Sequence, residues 1–320
     1  MKALRFDHTG DLAALRVAEV ATPRPGPGEI LVKIRAAGVN PSDIKNVLGR
    51  FPYTTVPRVP GRDFAGIVVE GPAGLQGREV WGTGKGLGFT RDGSHAEFIS
   101  VAAEGVATKP ASLSFVQAAA CGVPFTTAWD GLERAGVGSG SRVAVVGAGG
   151  AVGTAAVALA RWCGAQVVAA VRRSEQVTAL EAQGVPAFRL DDPASLAAGV
   201  RARFPDGADL VYDTTGFWLA AAVAALAPFG RIAVIAAPLD GHVNLPVLDL
   251  YRRGGGIIGV NSLLYDGRAC AAMLDRFAGA FESGQVRPPQ DIVERPLTDG
   301  PAVYDEVNRG RTDKFVFVTP

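Results

Sequence analysis

The residues best suited to chemistry in this 320-residue chain lie between Arg142 and Arg173. Val143-Ala-Val-Val146 is short, apolar and β-branched, and Gly147-Ala-Gly-Gly-Ala-Val-Gly153 follows at once, before the helical run Thr154 to Cys163. A strand that feeds a glycine-rich turn into a helix start presents backbone N–H groups and a positive dipole end to a pyrophosphate. The spacing is GxxGxxG, through Gly147, Gly150 and Gly153, because Val152 stands where GxGxxG needs its third glycine. Gly147 would make the tight turn, Gly150 would let the backbone approach phosphate, and Gly153 would pack helix on sheet, with Gly149, Ala151 and Val152 completing the cradle. The next strand candidate, Gln166 to Val171, ends about 20 to 25 residues after the first glycine, where an acid would bind a ribose 2′-hydroxyl. The chain has Arg172, Arg173 and Ser174 there. Two guanidinium forks and a hydroxyl suit a 2′-phosphate, so the expected cofactor is NADPH rather than NADH.

Such a turn needs a parallel sheet behind it. Strand candidates at Arg142 to Val146, Gln166 to Val171, Ala187 to Leu190, Ala208 to Asp213, Arg231 to Ala236 and Gly256 to Val260 alternate with helical runs. Those runs are Thr154 to Cys163, Ser174 to Gln183, Ser195 to Arg203, Leu219 to Ala227 and Asp266 to Ser283, and the alternation predicts a doubly wound α/β domain over residues 116–284. Doubly wound sheets place ligands at the carboxyl ends of their strands, which adds Thr214, Thr215, Ala236, Pro238, Val260 and Asn261 to the expected cofactor contacts. Residues 1–115 are β-rich, with strand candidates at Lys2 to Arg5, Leu12 to Val20, Glu29 to Ala37, Asp63 to Glu70, Glu79 to Gly82 and His95 to Ser100. Residues 285–320 end in a further strand, Lys314 to Val318, read as the chain returning to complete the first domain.

Net charge is +1 with the charges evenly spread, so no nucleic-acid or membrane partner is expected. Lys2, Arg5 and Asp7 interrupt any secretory apolar stretch, and the glycines within Val143 to Ala160 fit a buried α/β unit better than a membrane span. Cys121, Cys163 and Cys270 are isolated, which fits a reducing cytoplasm, and His8, His95 and His242 are equally scattered, so no metal site is expected.

Several short motifs in a fixed order carry a family resemblance. They are Ala37-Gly-Val-Asn-Pro-Ser-Asp43, Gly61-Arg-Asp-Phe-Ala-Gly-Ile-Val-Val69, Gly93-Ser-His-Ala-Glu-Phe98, Thr127-Ala-Trp129, Gly147 to Gly153, Asp209-Leu-Val-Tyr-Asp213 and Gly230-Arg-Ile232. Together they resemble the zinc-independent medium-chain dehydrogenase/reductases, the quinone oxidoreductase and zeta-crystallin branch. The resemblance implies a GroES-like β-rich catalytic domain, a Rossmann domain, a cleft between them and a homodimer. Zinc-dependent relatives have a ligand cysteine where this chain has Asn40, and a histidine-glutamate pair where it has Arg62-Asp63. The four-cysteine lobe of a structural zinc is also missing.

By the same resemblance Asn40 and Thr127 flank the nicotinamide, and Ser42 stands at a proton-relay position. Lys45 replaces the tyrosine of many quinone reductases, and Tyr53 is an alternative acid. The implied reaction is hydride transfer from NADPH to a quinone or enone-type carbonyl, whose nascent anion is delocalised and needs only hydrogen bonds and a proton. The same residues have plainer readings: Asn40-Pro41 as a helix cap with Asp43 in the first turn, Ser42 and Lys45 on a helix surface, Tyr53 as packing, and Asp63 as a structural partner of Arg62. An alcohol or aldehyde oxidoreductase, or a non-catalytic crystallin-like NADPH-binding protein, stays open as an alternative.

Overall fold

The computed structural model describes residues 1–320. The chain runs β1 (Lys2–Arg5), β2 (Arg16–Glu19), β3 (Glu29–Gly38), α1 (Pro41–Val47), β4 (Asp63–Glu70), β5 (Glu79–Gly82), β6 (Phe98–Ala102), β7 (Ala107–Thr108) and α2 (Phe115–Arg134). It continues through β8 (Arg142–Val146), α3 (Ala151–Trp162), β9 (Gln166–Val171), α4 (Ser174–Ala182), β10 (Ala187–Arg189), α5 (Pro193–Arg203), β11 (Ala208–Asp213), α6 (Leu219–Ala225), β12 (Leu226–Val234), α7 (Val247–Arg252) and β13 (Gly256–Gly259). The last part is α8 (Gly267–Glu282), β14 (Ile292–Pro296), α9 (Gly300–Asn308) and β15 (Lys314–Val318).

One unit comprises Met1–Thr126 with Ser262–Pro320. Its main sheet has the order β14-β15-β3-β4-β5-β7, with β6 paired to β3 and a separate β1-β2 ladder beside it. The sheet is antiparallel except at β14-β15, and β15 enters between β14 and β3 with Val316 opposite Gly38. Alternate apolar residues of β3, β4 and β15 meet in one core with Leu4, Phe6, Val303 and Tyr304. The chain therefore does return to complete this unit, as Lys314 to Val318 implies.

The second unit is Thr127–Asn261. Its six strands are all parallel in the order β10-β9-β8-β11-β12-β13, which is the doubly wound order with its switch point at β8 and β11. The strands read as continuous apolar runs because helices cover both faces of such a sheet. Val143, Val145, Val146, Leu210, Val211 and Tyr212 are buried in it. A bidentate Arg142–Asp209 contact ties the starts of β8 and β11 together, at 3.1 and 2.6 Å.

The division falls after Thr126 and after Asn261, not after residues 115 and 284. Helix α8, expected in the parallel-sheet domain, packs on β5 and β7 of the first unit. Its Phe281 stacks edge-on with Trp81, which explains the apolar face of a helix that has no strand after it in the second sheet. The strand expected from His95 begins at Phe98, because Leu4 and Lys2 of β1 bond His95 and Glu97 first. Leu226 and Ala227 leave the helix expected over Leu219 to Ala227 for β12, where Leu226 pairs with Ala208. Helices α2, α7 and α9 and strand β14 lay outside the sequence assignments. No helix is long and apolar enough to cross a membrane.

Candidate functional site

In the second unit the glycine-rich turn has the build of an anion cradle. Gly147 lies at φ +75°, a conformation that only glycine adopts freely, and any Cβ there would strike Thr214. A Cβ on Gly153 would collide with the Gly147 carbonyl and come within 2.7 Å of Ala148 Cα, so this glycine lets α3 close onto β8. Gly150 is the cap residue of α3, with φ −90° and ψ 167°. Around it a Cβ would meet only the Gly147 carbonyl, at 3.5 Å, which leaves open space over the first turn. The Gly150 N–H turns inward to Gly147 O at 3.0 Å, and the donors left for a ligand are those of the first helical turn, Ala151 to Gly153. Gly149 is covered by the flexible end of Gln176.

Arg172, Arg173 and Ser174 are exposed just past the carboxyl end of β9. Arg173 makes a loose surface contact with Glu175 at 3.8 Å, and both guanidinium groups retain donors for a phosphate. The hydroxyls of Thr214 and Thr215 are committed internally: Thr214 Oγ1 donates to Val146 O at 2.8 Å and Thr215 Oγ1 to Asp213 Oδ1 at 2.8 Å. Asp213 is fully buried and also accepts from the N–H groups of Thr215, Gly216 and Trp218, so it shapes this strand end. Ala236 and Pro238 are half-buried after β12, Val260 is tied to Val234 O at 2.8 Å, and Asn261 is exposed. Thr127 has a buried hydroxyl with no protein partner, while its carbonyl accepts from Tyr212 at 2.6 Å.

In the first unit the ligand positions of zinc-dependent relatives hold a buried charged network. Asn40 caps α1, and its own N–H donates to Asp43 Oδ2 at 2.8 Å. Its side chain is turned elsewhere: Nδ2 donates to Asp63 Oδ2 at 2.8 Å, and Oδ1 accepts from Lys314 Nζ at 2.9 Å. An ammonium only donates and a carboxylate only accepts, so these neighbours fix which end of the amide is which. Lys314 also donates to Val39 O at 3.1 Å and lies 3.8 Å from Asp63 Oδ2. Asp63 Oδ1 accepts from Val123 N–H at 2.8 Å. The expected Arg62–Asp63 pairing is replaced by Lys314–Asp63, because successive strand residues point to opposite faces. Burial and the neighbouring Asp63 push the Asp43 carboxyl up to about 7, and its Oδ1 has no partner. The Lys314 ammonium is held below its ordinary range by burial.

The three candidate proton donors are placed unequally. Ser42 Oγ is buried without a protein partner, as are Thr83 Oγ1 and Ser94 Oγ in the same unit. Lys45 is exposed in the last turn of α1. Tyr53 is 49% exposed and packs with Phe51 and Phe89, ring centroids 5.9 Å from each, and partial burial raises its phenol. Sequence reasoning missed Lys314 as a site residue, although a lysine opening the apolar run Lys314-Phe-Val-Phe-Val318 is a visible anomaly. It also missed His95, whose Nδ1 accepts from Tyr304 at 2.8 Å and whose Nε2 donates to Gly38 O at 3.2 Å, and burial pushes this imidazole down to about 3.

Residues 26–111 match the alcohol dehydrogenase GroES-like domain, and residues 151–278 match the zinc-binding dehydrogenase model. A zinc-type alcohol dehydrogenase-like protein of Schizosaccharomyces pombe is 37% identical, covering 93% of this chain and 91% of that protein. The 2-methylene-furan-3-one reductase of Solanum lycopersicum is 34% identical over 96% of this chain and 74% of its own length. Among solved structures, an alcohol dehydrogenase superfamily protein from Novosphingobium aromaticivorans aligns over 100% of both chains with a TM-score of 0.89 and 28% identity. An NAD-dependent alcohol dehydrogenase has the same TM-score, identity and coverage.

Proposed function

Since this chain belongs to the medium-chain dehydrogenase/reductase superfamily, we propose that it is an NADPH-dependent reductase that transfers hydride to a quinone or enone-type carbonyl without a metal. The observation that carries the reading is the buried Asn40–Asp63–Lys314 network. These residues do not suit zinc. Both ends of the Asn40 amide are engaged, Arg62 is a permanent cation, and the Lys314 ammonium already holds positive charge 3.8 Å from the only carboxylate oxygen it meets. An acceptor that is activated by conjugation has less need of a Lewis acid, and the enone reductase relative from Solanum lycopersicum supports that choice.

The Gly147–Gly153 cradle fits a dinucleotide, because the space a Gly150 side chain would fill is open and the first turn of α3 keeps its donors. The first-turn N–H groups of α3 would hold the pyrophosphate, and Arg172, Arg173 and Ser174 a 2′-phosphate. When bound, NADPH supplies the hydride. Thr127 Oγ1 and Ser42 Oγ are two of four buried hydroxyls left without protein partners, beside those of Thr83 and Ser94, and in this reading Thr127 serves the nicotinamide and Ser42 the reacting carbonyl. Lys45 and Tyr53 then sit at the solvent side as alternative proton sources.

A cytoplasmic location accords with the three free thiols Cys121, Cys163 and Cys270. A homodimer would use the open edge of β13, where Ile257 is exposed. The test is NADPH oxidation against quinones, enones and aldehydes, before and after exhaustive chelation. Reduction of quinones or enones that survives chelation is the expected result. Turnover confined to alcohols or aldehydes and restored only by zinc would favour the alcohol dehydrogenase reading, which the name of the Schizosaccharomyces pombe relative supports. Tight NADPH binding with no turnover of any acceptor would favour the crystallin-like alternative.

A further inference from the structure

Arg62 is 1% exposed and forms no ion pair, and its only protein partner is Ser262. Nη1 donates to Ser262 Oγ and Nη2 to Ser262 O, both at 3.2 Å, while Nε has no acceptor. Ser262 thus grips the outer edge of the guanidinium, and the inner fork of Nε–H and the adjoining Nη2–H is left without a protein acceptor. A buried guanidinium is stable when an anion completes it, and a vacant fork costs the desolvation of each unmet donor. Its surroundings narrow the ligand. Arg62's charge acts on the Tyr53 phenol, which belongs to the Phe51, Tyr53 and Phe89 aromatic cluster, and on Asp43, next in sequence to the unpartnered Ser42 hydroxyl. A carbonyl oxygen that gains negative charge matches the donors of that fork.

We propose that the Arg62 fork is the electrophile of the site and binds the carbonyl oxygen of the acceptor as that oxygen becomes an oxyanion. The inference rests on the reductase reading above and extends it to a named catalytic residue. Hydride adds to the conjugated acceptor, the electron pair it displaces moves onto the carbonyl oxygen, and the fork receives that charge. A proton from Ser42, Lys45, Tyr53 or solvent then completes the reduced product, while the nicotinamide is left oxidised. A fixed donor aimed at charge that develops in the reaction stabilises the transition state more than the bound substrate.

Two measurements test this, and they fail separately. In turnover, Arg62→Gln should lower kcat by about 10²-fold with KM and NADPH affinity nearly unchanged, and Arg62→Lys should recover part of it. A rise in KM with kcat preserved would mean that the fork holds a permanent carboxylate of the substrate, and that result overturns the proposal. The second measurement needs no turnover: 4-nitrophenol bound to the wild-type protein is titrated by absorbance. Preferential binding of the phenolate, seen as a lowered apparent pKa that Arg62→Lys largely keeps and Arg62→Gln loses, supports the oxyanion site even if no acceptor is reduced. Equal affinity of the wild type for phenol and phenolate overturns it, whether or not the variants fold. A wild type that reduces no quinone or enone yet binds phenolate at Arg62 refutes the reductase reading alone.

Discussion

Lys314→Met removes one ammonium and leaves the apolar stem, so it isolates the charge that holds the Asn40 network. Three contacts vanish together: the hydrogen bonds to Asn40 Oδ1 at 2.9 Å and Val39 O at 3.1 Å, and the ion pair with Asp63 at 3.8 Å. Asp63 is fully buried and would keep only the donors from Asn40 Nδ2 and Val123 N–H. Removing one partner of such a pair costs about 3–5 kcal/mol, because the survivor stays buried and uncompensated. At roughly 2–4 °C per kcal/mol for a domain of this size, the melting temperature should fall by roughly 6–20 °C. Calorimetry or far-UV circular dichroism reads this directly. The decisive companion is Asp63→Asn in the Lys314→Met background, which removes the orphan charge and should restore part of the loss, whereas Asp63→Asn alone destabilises. If the two changes simply add, the charges are not coupled and the account of the network is wrong. An unchanged melting temperature in Lys314→Met would refute it as well.

Gly150→Val should abolish NADPH binding while the fold persists, because its side chain enters open space rather than the protein; retained affinity in isothermal titration would move the pyrophosphate site elsewhere. Arg172→Ala with Arg173→Asp should weaken NADPH by about 1.5–3 kcal/mol for each charged hydrogen bond lost and leave NADH nearly unaffected, and an unchanged cofactor preference would make both arginines plain surface residues. Ser42→Ala should lower kcat by about 10²-fold if its hydroxyl serves the reacting carbonyl, while Lys45→Met and Tyr53→Phe compared on enones and quinones identify the proton source; wild-type rates in all three would leave protonation to solvent. His95 titrates at about 3 when folded and near 6.5 when unfolded, so its contribution is complete above pH 6.5 and is lost as pH falls toward 3, roughly 4–5 kcal/mol in all. His95→Asn should therefore show a shallower decline of melting temperature over that acid range, and an identical slope would show that other groups dominate acid unfolding.

The doubly wound sheet was legible because its evidence is local. The apolar runs at β8, β9 and β11 and the glycine spacing through Gly153 each declare themselves within about ten residues, and all three strands lie where the pattern places them. Helix α2 hid behind Pro124, a residue that argues against a helix interior, yet the helix runs through it from Phe115 to Arg134. The placement of α8 depends on partners such as Trp81, far away in the chain, which periodicity alone does not reveal. The same division holds at the site. Asn40 and Arg62 stood out by residue type, but what fixes them, Lys314 from β15 and Ser262 ahead of α8, lies some 200 to 275 positions away and becomes visible only when the sheet is assembled.

That distance bears on the order in which the molecule can be made. The parallel-sheet unit is one uninterrupted segment, Thr127–Asn261, and every strand it needs has been synthesised before α8 begins. The antiparallel unit is split around it, and β15, which lies between β14 and β3, is made after every other strand of that sheet. Until then Asp63 has no ammonium and the Ala36–Gly38 end of β3 lacks its β15 partner, so a nascent chain carries a finished parallel-sheet unit and an incomplete antiparallel one. Lys314 and β15 thus join the antiparallel unit only after the whole parallel-sheet segment has been made, and a chain stopped before Lys314 would lack the partner that Asp63 and Asn40 share.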